Sequence, residues 1–510
     1  MFASRVQEVL LPLIAGENDF RIGMVFVTAI AILLTYQFGI CVYNIYFHPL
    51  SNYPGPLFNK ISRIPMFFAL IYGEQAFYTQ QLHDQYGDVV RMAPNELSYA
   101  NGDAWKDIHG HAVAGKTLKF TKEPGFYHQN PDRAPSVINA DDAGHARMRR
   151  IFAHAFSDQA LKKQEPTFRK YVDKLITRLR HTVSNNPQYS FDILKMYNFT
   201  TFDVMGDLTF GEPLGLLEGA DYNPWIAAIF GGIKFGTFNR AVRSFPWIHG
   251  FLKRLHPQAL NKKRQEHFRF SEDRVDRRLE KGDDEPDIWG LVLQQPEGKG
   301  MSKREMYSNS GLFMIAGTET TATLLSGLTY YLLKNPEKLK KLNKEIRDAF
   351  KSPEDMTLVR LAQSQYLAAC IEEGLRMYPP VPIGLPRVTP HEGAIVAGRW
   401  VPPKTILYMS HYALYRSAKN FRDPWSFIPE RWTGDERFAT DEKQAFQPFS
   451  YGPRNCLGKN MAYHEMRLIL ATCLWNFDYE LCEESEEWAN QKTFTLWEKK
   501  PLMVRLTPVQ

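Results

Sequence analysis

From Ile22 to Phe47 the chain carries no charged side chain and is rich in Ile, Val, Leu, Phe and Ala. A helix that crosses a bilayer needs ~20 mostly apolar residues. The pattern therefore predicts a transmembrane anchor over 22–47, behind an N-terminal tail over 1–21. A cleaved signal peptide would want a basic leader and a shorter apolar core. Here Glu17 and Asp19 precede a long apolar run instead. Lys60 and Arg63 are the next basic residues, which favours a cytosolic position for everything that follows. The stretch His48–Pro56 holds Pro49, Pro54 and Pro56. Prolines fix φ and remove backbone donors, so 48–56 reads as a stiff connector, or hinge.

Beyond the connector the apolar period becomes helical. Mixed apolar and charged periodicity predicts helix from Ala143 to about His181, near 255–282 and over 304–350. Short β-rich runs lie between them. Val89–Pro94 and Leu97–Tyr99 predict a hairpin about Pro94-Asn95. Ala394–Val396 and Thr405–Ser410, flanking Gly398 and Pro402-Pro403, predict a second, and Phe477 to Val504 a third. The fold class expected is mainly α with small β-sheets. No repeat or low-complexity linker divides residues 57–510, so they are expected to form one large domain.

Composition narrows the classes. A hydrophobic share of 44% over 510 residues fills a sizeable core, and a formal charge of +6 is too mild to suggest nucleic acid. The cysteines at 41, 370, 456, 473 and 482 are scattered, without disulfide or zinc spacing, and suit a reducing compartment. Asn198-Phe-Thr200 fits a glycosylation acceptor and is expected to stay unmodified in a cytosolic domain. His109, His111 and His464 lack companions at metal-ligand spacing and read as structural, and Glu483–Glu487 as a solvated loop.

Two segments carry chemistry. In Phe449-Ser-Tyr-Gly452-Pro-Arg454-Asn-Cys456-Leu-Gly458, two glycines let the backbone turn and approach a flat ligand closely. Pro453 stiffens the loop, Arg454 brings a fixed charge, and Phe449 can pack over the sulfur. Such a loop suits a thiolate held against haem iron. In Phe313-Met-Ile-Ala316-Gly317-Thr318-Glu319-Thr320-Thr321, an acid sits beside a hydroxyl inside an apolar helical pattern. That is costly unless both are used. Oxygen cleavage needs protons delivered in order, and the pair Glu319 and Thr320 can supply them. The small Ala316-Gly317 pair would leave room and tolerate a helix distortion.

The cysteine run resembles the haem-binding signature F-x-x-G-x-R-x-C-x-G of the cytochrome P450 family, with every fixed position filled. The helical segment resembles its A/G-G-x-D/E-T-T motif. Glu373-Gly-Leu-Arg376 and Pro429-Glu-Arg431-Trp resemble its E-x-x-R and P-E-R-F/W segments. The resemblance implies the P450 fold, haem b with Cys456 as axial thiolate, and a structural ionic triad of Glu373, Arg376 and Arg431. It further implies haem-binding roles for Phe449, Gly452, Arg454 and Gly458, for Arg387, and for His145 and Arg149. The last two stand in the family's W-x-x-x-R segment, where this chain has histidine in place of tryptophan.

No flavin or dinucleotide fingerprint occurs, so electrons must come from a partner. The resemblance implies NADPH–cytochrome P450 reductase, with cytochrome b5 as a further donor, docking on a face carrying Arg147, Arg150, Lys162, Lys163, Lys459 and Arg467. It also implies a single-pass endoplasmic-reticulum protein with a cytosolic catalytic domain. Pocket walls are expected from 113–137, Phe313, Ala316, Val381–Leu385 and Phe494, roofed by Trp225–Trp247. These are mostly uncharged, so a hydrophobic small molecule is the expected substrate, and no charge marks a polar anchor. Tyr46-Phe-His-Pro-Leu, His145-Ala-Arg-Met-Arg-Arg and Leu496-Trp-Glu-Lys resemble fungal members that tailor terpenoid and polyketide secondary metabolites. The rival readings are a haem-thiolate isomerase or peroxygenase, and a non-catalytic haem sensor or carrier.

Overall fold

The computed structural model describes residues 23–111, 120–129, 132–219, 224–255, 258–282, 287–295 and 300–509. The expected tail 1–21, Ile22 and part of the expected pocket wall, 112–119 and 130–131, lie outside them.

Gly23–Phe47 forms a helix of 25 residues whose most apolar stretch of 18 has mean hydropathy 2.2 and buries nothing against the rest of the chain. At 1.5 Å per residue it is long enough to cross a bilayer. The connector after it is docked on the domain. Leu50 and Tyr53 are buried. The guanidinium of buried Arg91 donates to Asn44 O at 2.8 Å and to Pro94 O at 2.7 Å, and the Arg91 amide donates to Pro54 O at 2.7 Å. The buried arginine thus supplies donors to carbonyls of a segment in which the prolines supply none.

Two helices cross the centre. Ile193–Phe210 leaves only Lys195 and Asp207 outside the buried set, the mark of a helix apolar on all sides. Against it lies Lys303–Leu333, 31 residues, started by a Ser302–Glu305 capping box. Gly317 is at their contact, where an added Cβ would stand 2.7 Å from Met205 Sδ. Helices Asp142–Ala155, Asp158–Asn185, Gln365–Met377 and Lys459–Asn476 pack around this pair.

The strands form small sheets at the margins. One runs, in spatial order, Val89–Ala93, Glu96–Tyr99, Ile406–Met409, Arg387–Val388 and Thr121–Lys122. The hairpin about Pro94-Asn95 is present as predicted. The second predicted hairpin is corrected. Ala394–Val396 pairs with Arg399–Val401, because Ala397 and Gly398 both take positive φ, 47° and 75°, and close a two-residue turn. Ile406–Met409 instead pairs in parallel with Glu96–Tyr99. At the C-terminal end, Phe477–Leu481 pairs with Met503–Pro508, which also takes Ser190–Asp192. Asn198 is buried within its helix, so folding itself closes the glycosylation acceptor.

Candidate haem-thiolate site

The cysteine loop is closed by backbone bonds from Cys456 N to Phe449 O, 2.8 Å, and from Asn455 N to Gly452 O, 3.1 Å. Gly452 is required by the turn. Its φ is 73°, and a Cβ there would lie 1.9 Å from His109 O. Gly458 is different. Its φ is ordinary, and the nearest atom to an added Cβ is Phe156 Cε1 at 3.9 Å, so nothing in the protein demands glycine. The space above Gly458 is what the missing side chain preserves, and it adjoins the sulfur.

Cys456 is the one exposed cysteine; Cys370, Cys473 and Cys482 are buried and Cys41 lies in the apolar helix. The residue keeps open surface although its sulfur lies deep among protein atoms. Burial pushes the thiol up, and the Gly458 N–H, Arg149 and Lys459 act the other way. Helix Lys459–Asn476 starts three residues on, and its N-terminal dipole favours a thiolate. Arg149 donates to Asn455 O at 2.6 Å and to the Asn455 side chain, so it grips the residue before the sulfur. Phe449 packs 5.1 Å from the Tyr463 ring, on the outer side of the loop.

The helix Lys303–Leu333 comes to this loop through aromatic packing. Phe156, which faces Gly458, stands 5.6 Å from the ring of Phe313. Phe313 is itself buried against Phe152, 4.8 Å away, and is core where a pocket wall was expected. One turn on, Ala316 is exposed, and Thr320 above it is partly open, donating to Ala316 O at 2.6 Å. The helix is α throughout. Room therefore comes from Ala316 alone, while Gly317 turns away to meet Met205.

Glu319 is buried and ion-paired with Lys499, whose ammonium also donates to Thr323 Oγ1 at 2.8 Å. Its second oxygen, Oε2, has no partner among the described residues. Lys499 closes the Leu496-Trp-Glu-Lys run, which sequence reading singled out without giving it a role.

A cluster of cations lies beside the loop. Lys122 and Arg387 are paired in register on adjacent strands. Arg454 donates to Ala140 O at 3.1 Å and to Asp142 at 2.8 Å. His145 is buried on the first turns of Asp142–Ala155. Burial, then Arg454, Lys122 and Arg149, lower its pKa to about 4. Burial, then Arg454 and Arg387, lower that of Lys122 to about 6. Only Asp142 opposes either shift. His109, expected to be structural, is buried with neither ring nitrogen hydrogen-bonded among the described residues, and Arg387 is a source of its depressed pKa. Crowded cations and an orphaned imidazole fit an anionic group, such as the two propionates of a haem, placed among them. Lys122 was not singled out in the sequence because its strand meets Arg387 only in the fold.

Behind the cysteine loop, Glu373 is fully buried. It accepts from Arg376 at 2.8 and 2.9 Å, Arg431 at 3.2 Å, Trp432 Nε1 at 2.9 Å and Ile428 N at 2.7 Å. Arg376 also donates to Tyr415 O and Pro424 O. Asp441, which the sequence reading omitted, adds a second carboxylate on Arg431. The group is thus two acids and two arginines, and its attachments hold the segment from Tyr415 to Asp441 against helix Gln365–Met377.

The cytochrome P450 family model matches residues 56–506. The chain is 51% identical to the cytochrome P450 monooxygenase efuB of Hormonema carpetanum, across 94% of this chain and 95% of the relative. It is 48% identical to the cytochrome P450 monooxygenase FUM2 of Gibberella moniliformis, across 91% and 99%. It is 43% identical to the cytochrome P450 monooxygenase astJ of Aspergillus oryzae, across 92% and 94%. Matches of this length and identity, on a chain that carries an exposed cysteine beside a cation-lined recess, place it: the chain belongs to the cytochrome P450 family of haem-thiolate monooxygenases.

Proposed function

We propose that the chain oxidises a lipophilic small molecule of terpenoid or polyketide type in fungal secondary metabolism, with Cys456 as the haem ligand and electrons from NADPH–cytochrome P450 reductase. The observation that carries this reading is the exposed Cys456 beside the crowded cations Lys122, Arg387 and Arg454, which have Asp142 as their one ion-paired acid among the described residues, and beside the orphaned imidazole of His109. Thiolate-bound haem supplies an electron-rich iron that cleaves O₂, sending one atom to substrate and the other to water.

The protein's own groups do the rest. Arg149 fixes Asn455 and thereby the sulfur. His145, Lys122, Arg387 and Arg454 hold the cofactor's acids. Ala316 keeps space open, and Thr320 presents a hydroxyl to it for proton delivery. Glu319, locked to Lys499, is the acid behind that hydroxyl.

For the partner, a concave surface of about 510 Å³ lies behind the loop, lined by Glu372, Phe449, Lys459 and Tyr463. Arg150, Lys162, Lys163 and Lys459 are exposed and suit an acidic flavoprotein. Arg147 is instead bound to Glu305, and Arg467 is half-buried. For the membrane, the apolar helix Gly23–Phe47 is joined by exposed Phe58, Phe68, Trp247 and Phe251. These support a single-pass protein of the endoplasmic reticulum with a cytosolic catalytic domain.

The test is a strain lacking this protein, with mass spectrometry of what accumulates. The purified protein with reductase, NADPH and isotopically labelled O₂ should convert that compound and add one labelled oxygen. Conversion without NADPH would replace this reading with an isomerase, and no conversion at all with a haem sensor or carrier.

A further inference from the structure

A cavity of about 330 Å³ opens between helix Ile64–Ile71, the turn at Asn95-Glu96 and the end of helix Pro224–Arg243. Met66, Phe67 and Leu70 give it apolar surface, and Arg63, Glu96, Glu123, Arg240 and Arg243 line it as well. Gly384 and Phe126 also line it, from the two segments expected to wall the substrate pocket, as does Pro386, the residue before Arg387 of the cation cluster.

The charges are not equivalent. Arg63 and Glu96 neutralise each other in an ion pair of 3.0 Å. Glu123 is held by the amides of Gly125 and Phe126, at 2.9 and 2.6 Å. Arg240 has no carboxylate at ion-pair distance among the described residues. It donates to the neutral Gln75 Oε1 at 2.7 Å, and its guanidinium lies 4.9 Å from the Phe126 ring centroid. It is walled in by protein, deeply enough that burial lowers its pKa to about 10, yet keeps open surface, and that surface is the cavity. Glu96 and Glu123 act on it only through space, so the desolvated fork, braced on an aromatic ring, keeps a donor surface with no carboxylate in direct contact, as a carboxylate receptor requires.

We propose that this cavity receives a carboxylate of the lipophilic substrate, with Arg240 as its anchor and specificity-determining residue, an inference that rests on the monooxygenase reading above. Met66, Phe67 and Leu70 accept the adjoining hydrocarbon, and the fixed acid decides which part of the molecule faces Ala316 and Thr320. Helix Pro224–Arg243 is therefore more than an apolar roof.

The experiment uses the full-length haem-loaded protein in phosphatidylcholine discs, with palmitic acid and methyl palmitate as probes and the ligand-induced Soret shift as readout. The acid should bind about tenfold more tightly than the ester, the worth of one charge-assisted contact. Arg240→Gln should bring the acid down to the ester and leave the ester unchanged. Equal binding of acid and ester by the parent protein overturns the proposal, whether or not the variant folds. So does an unchanged preference in Arg240→Gln with an intact carbon monoxide spectrum. Loss of the acid's advantage when phosphatidic acid is added to the discs would assign the cavity to a lipid phosphate and also overturn it. A protein that gives no carbon monoxide band refutes the haem-thiolate reading instead, which keeps the two failures apart.

Discussion

Lys499 lies against Oε1 of Glu319, an ion pair between the C-terminal segment and the middle of the longest helix, with both side chains almost closed to solvent. The pair explains how an acid persists in an apolar helix, because its charge is matched by an ammonium that also satisfies Thr323. Lys499→Met should strand a buried charge and cost ~3–5 kcal/mol. Adding Glu319→Gln should recover most of that loss. Thermal unfolding of the parent, two single variants and the double variant measures the coupling. Equal losses with and without Glu319 would dissolve the pair.

Glu465 gives a pH signature. It is buried on Lys459–Asn476, its Oε1 has no partner among the described residues, and burial pushes its pKa up to about 8, with Thr321 pulling the other way. The folded value exceeds the unfolded 4.5, so the folded state binds a proton that the unfolded state releases between those values. Its contribution is complete below about 4.5 and is lost as pH rises through about 8. At 1.36 kcal/mol per unit the loss is about 3 kcal/mol by pH 7. Glu465→Gln should therefore unfold at a higher temperature than the parent at pH 8, with the gain shrinking towards pH 5. A gain independent of pH would show that the carboxyl titrates normally.

The apolar helix Gly23–Phe47, the first hairpin and the family's motif spacings were legible because each is local: an apolar run, a turn, a loop spacing. What escaped was long-range. Ile406–Met409 pairs with Glu96–Tyr99, some three hundred residues earlier in the chain. Lys499 meets Glu319, and Asp441 meets Arg431, only after folding. Gly317 looked like space for oxygen, but its side of the helix is decided by Met205 on another helix. The cavity that Arg240 faces is built from six separate segments of the chain.

The buried group around Glu373 predicts a steep contrast. Glu373→Gln removes the charge that faces Arg376 and Arg431, all at 0% side-chain exposure. The loss should be ~3–5 kcal/mol and should lower the haem-loaded fraction on expression. Lys344→Ala, which breaks the pair with Asp348 at 76% and 65% exposure, should change stability by no more than ~0.5 kcal/mol. Comparable effects from the two would contradict the burial argument.

Cys456→Ser leaves the loop bonds to Phe449 and Gly452 in place, since both are made by backbone. The variant should fold but lose the strongly red-shifted carbon monoxide Soret band that thiolate ligation gives. An unchanged band would remove Cys456 as ligand.

Thr320 stands apart from its neighbours in one respect. Thr318 and Thr321 are buried, while Thr320 keeps open surface above exposed Ala316. Its hydroxyl proton is committed to Ala316 O at 2.6 Å, which leaves its lone pairs for a donor or water in the recess. Such a hydroxyl delivers its proton by turning away from Ala316 O and takes a replacement from a donor or water through its lone pairs. Thr320→Ala removes that step without touching the cysteine loop or the cations around it, so haem content and ligand affinity should hold. Loss of a positioned proton donor costs ~10²–10⁴ in the step it serves. With reductase, Thr320→Ala should keep consuming NADPH while most oxygen leaves as peroxide. Thr320→Ser should restore product, and Thr318→Val, at a buried back-bonded hydroxyl, should leave coupling as in the parent. The measurement is product and peroxide per NADPH. Parent-like coupling in Thr320→Ala would show that the protons reach the site by another route.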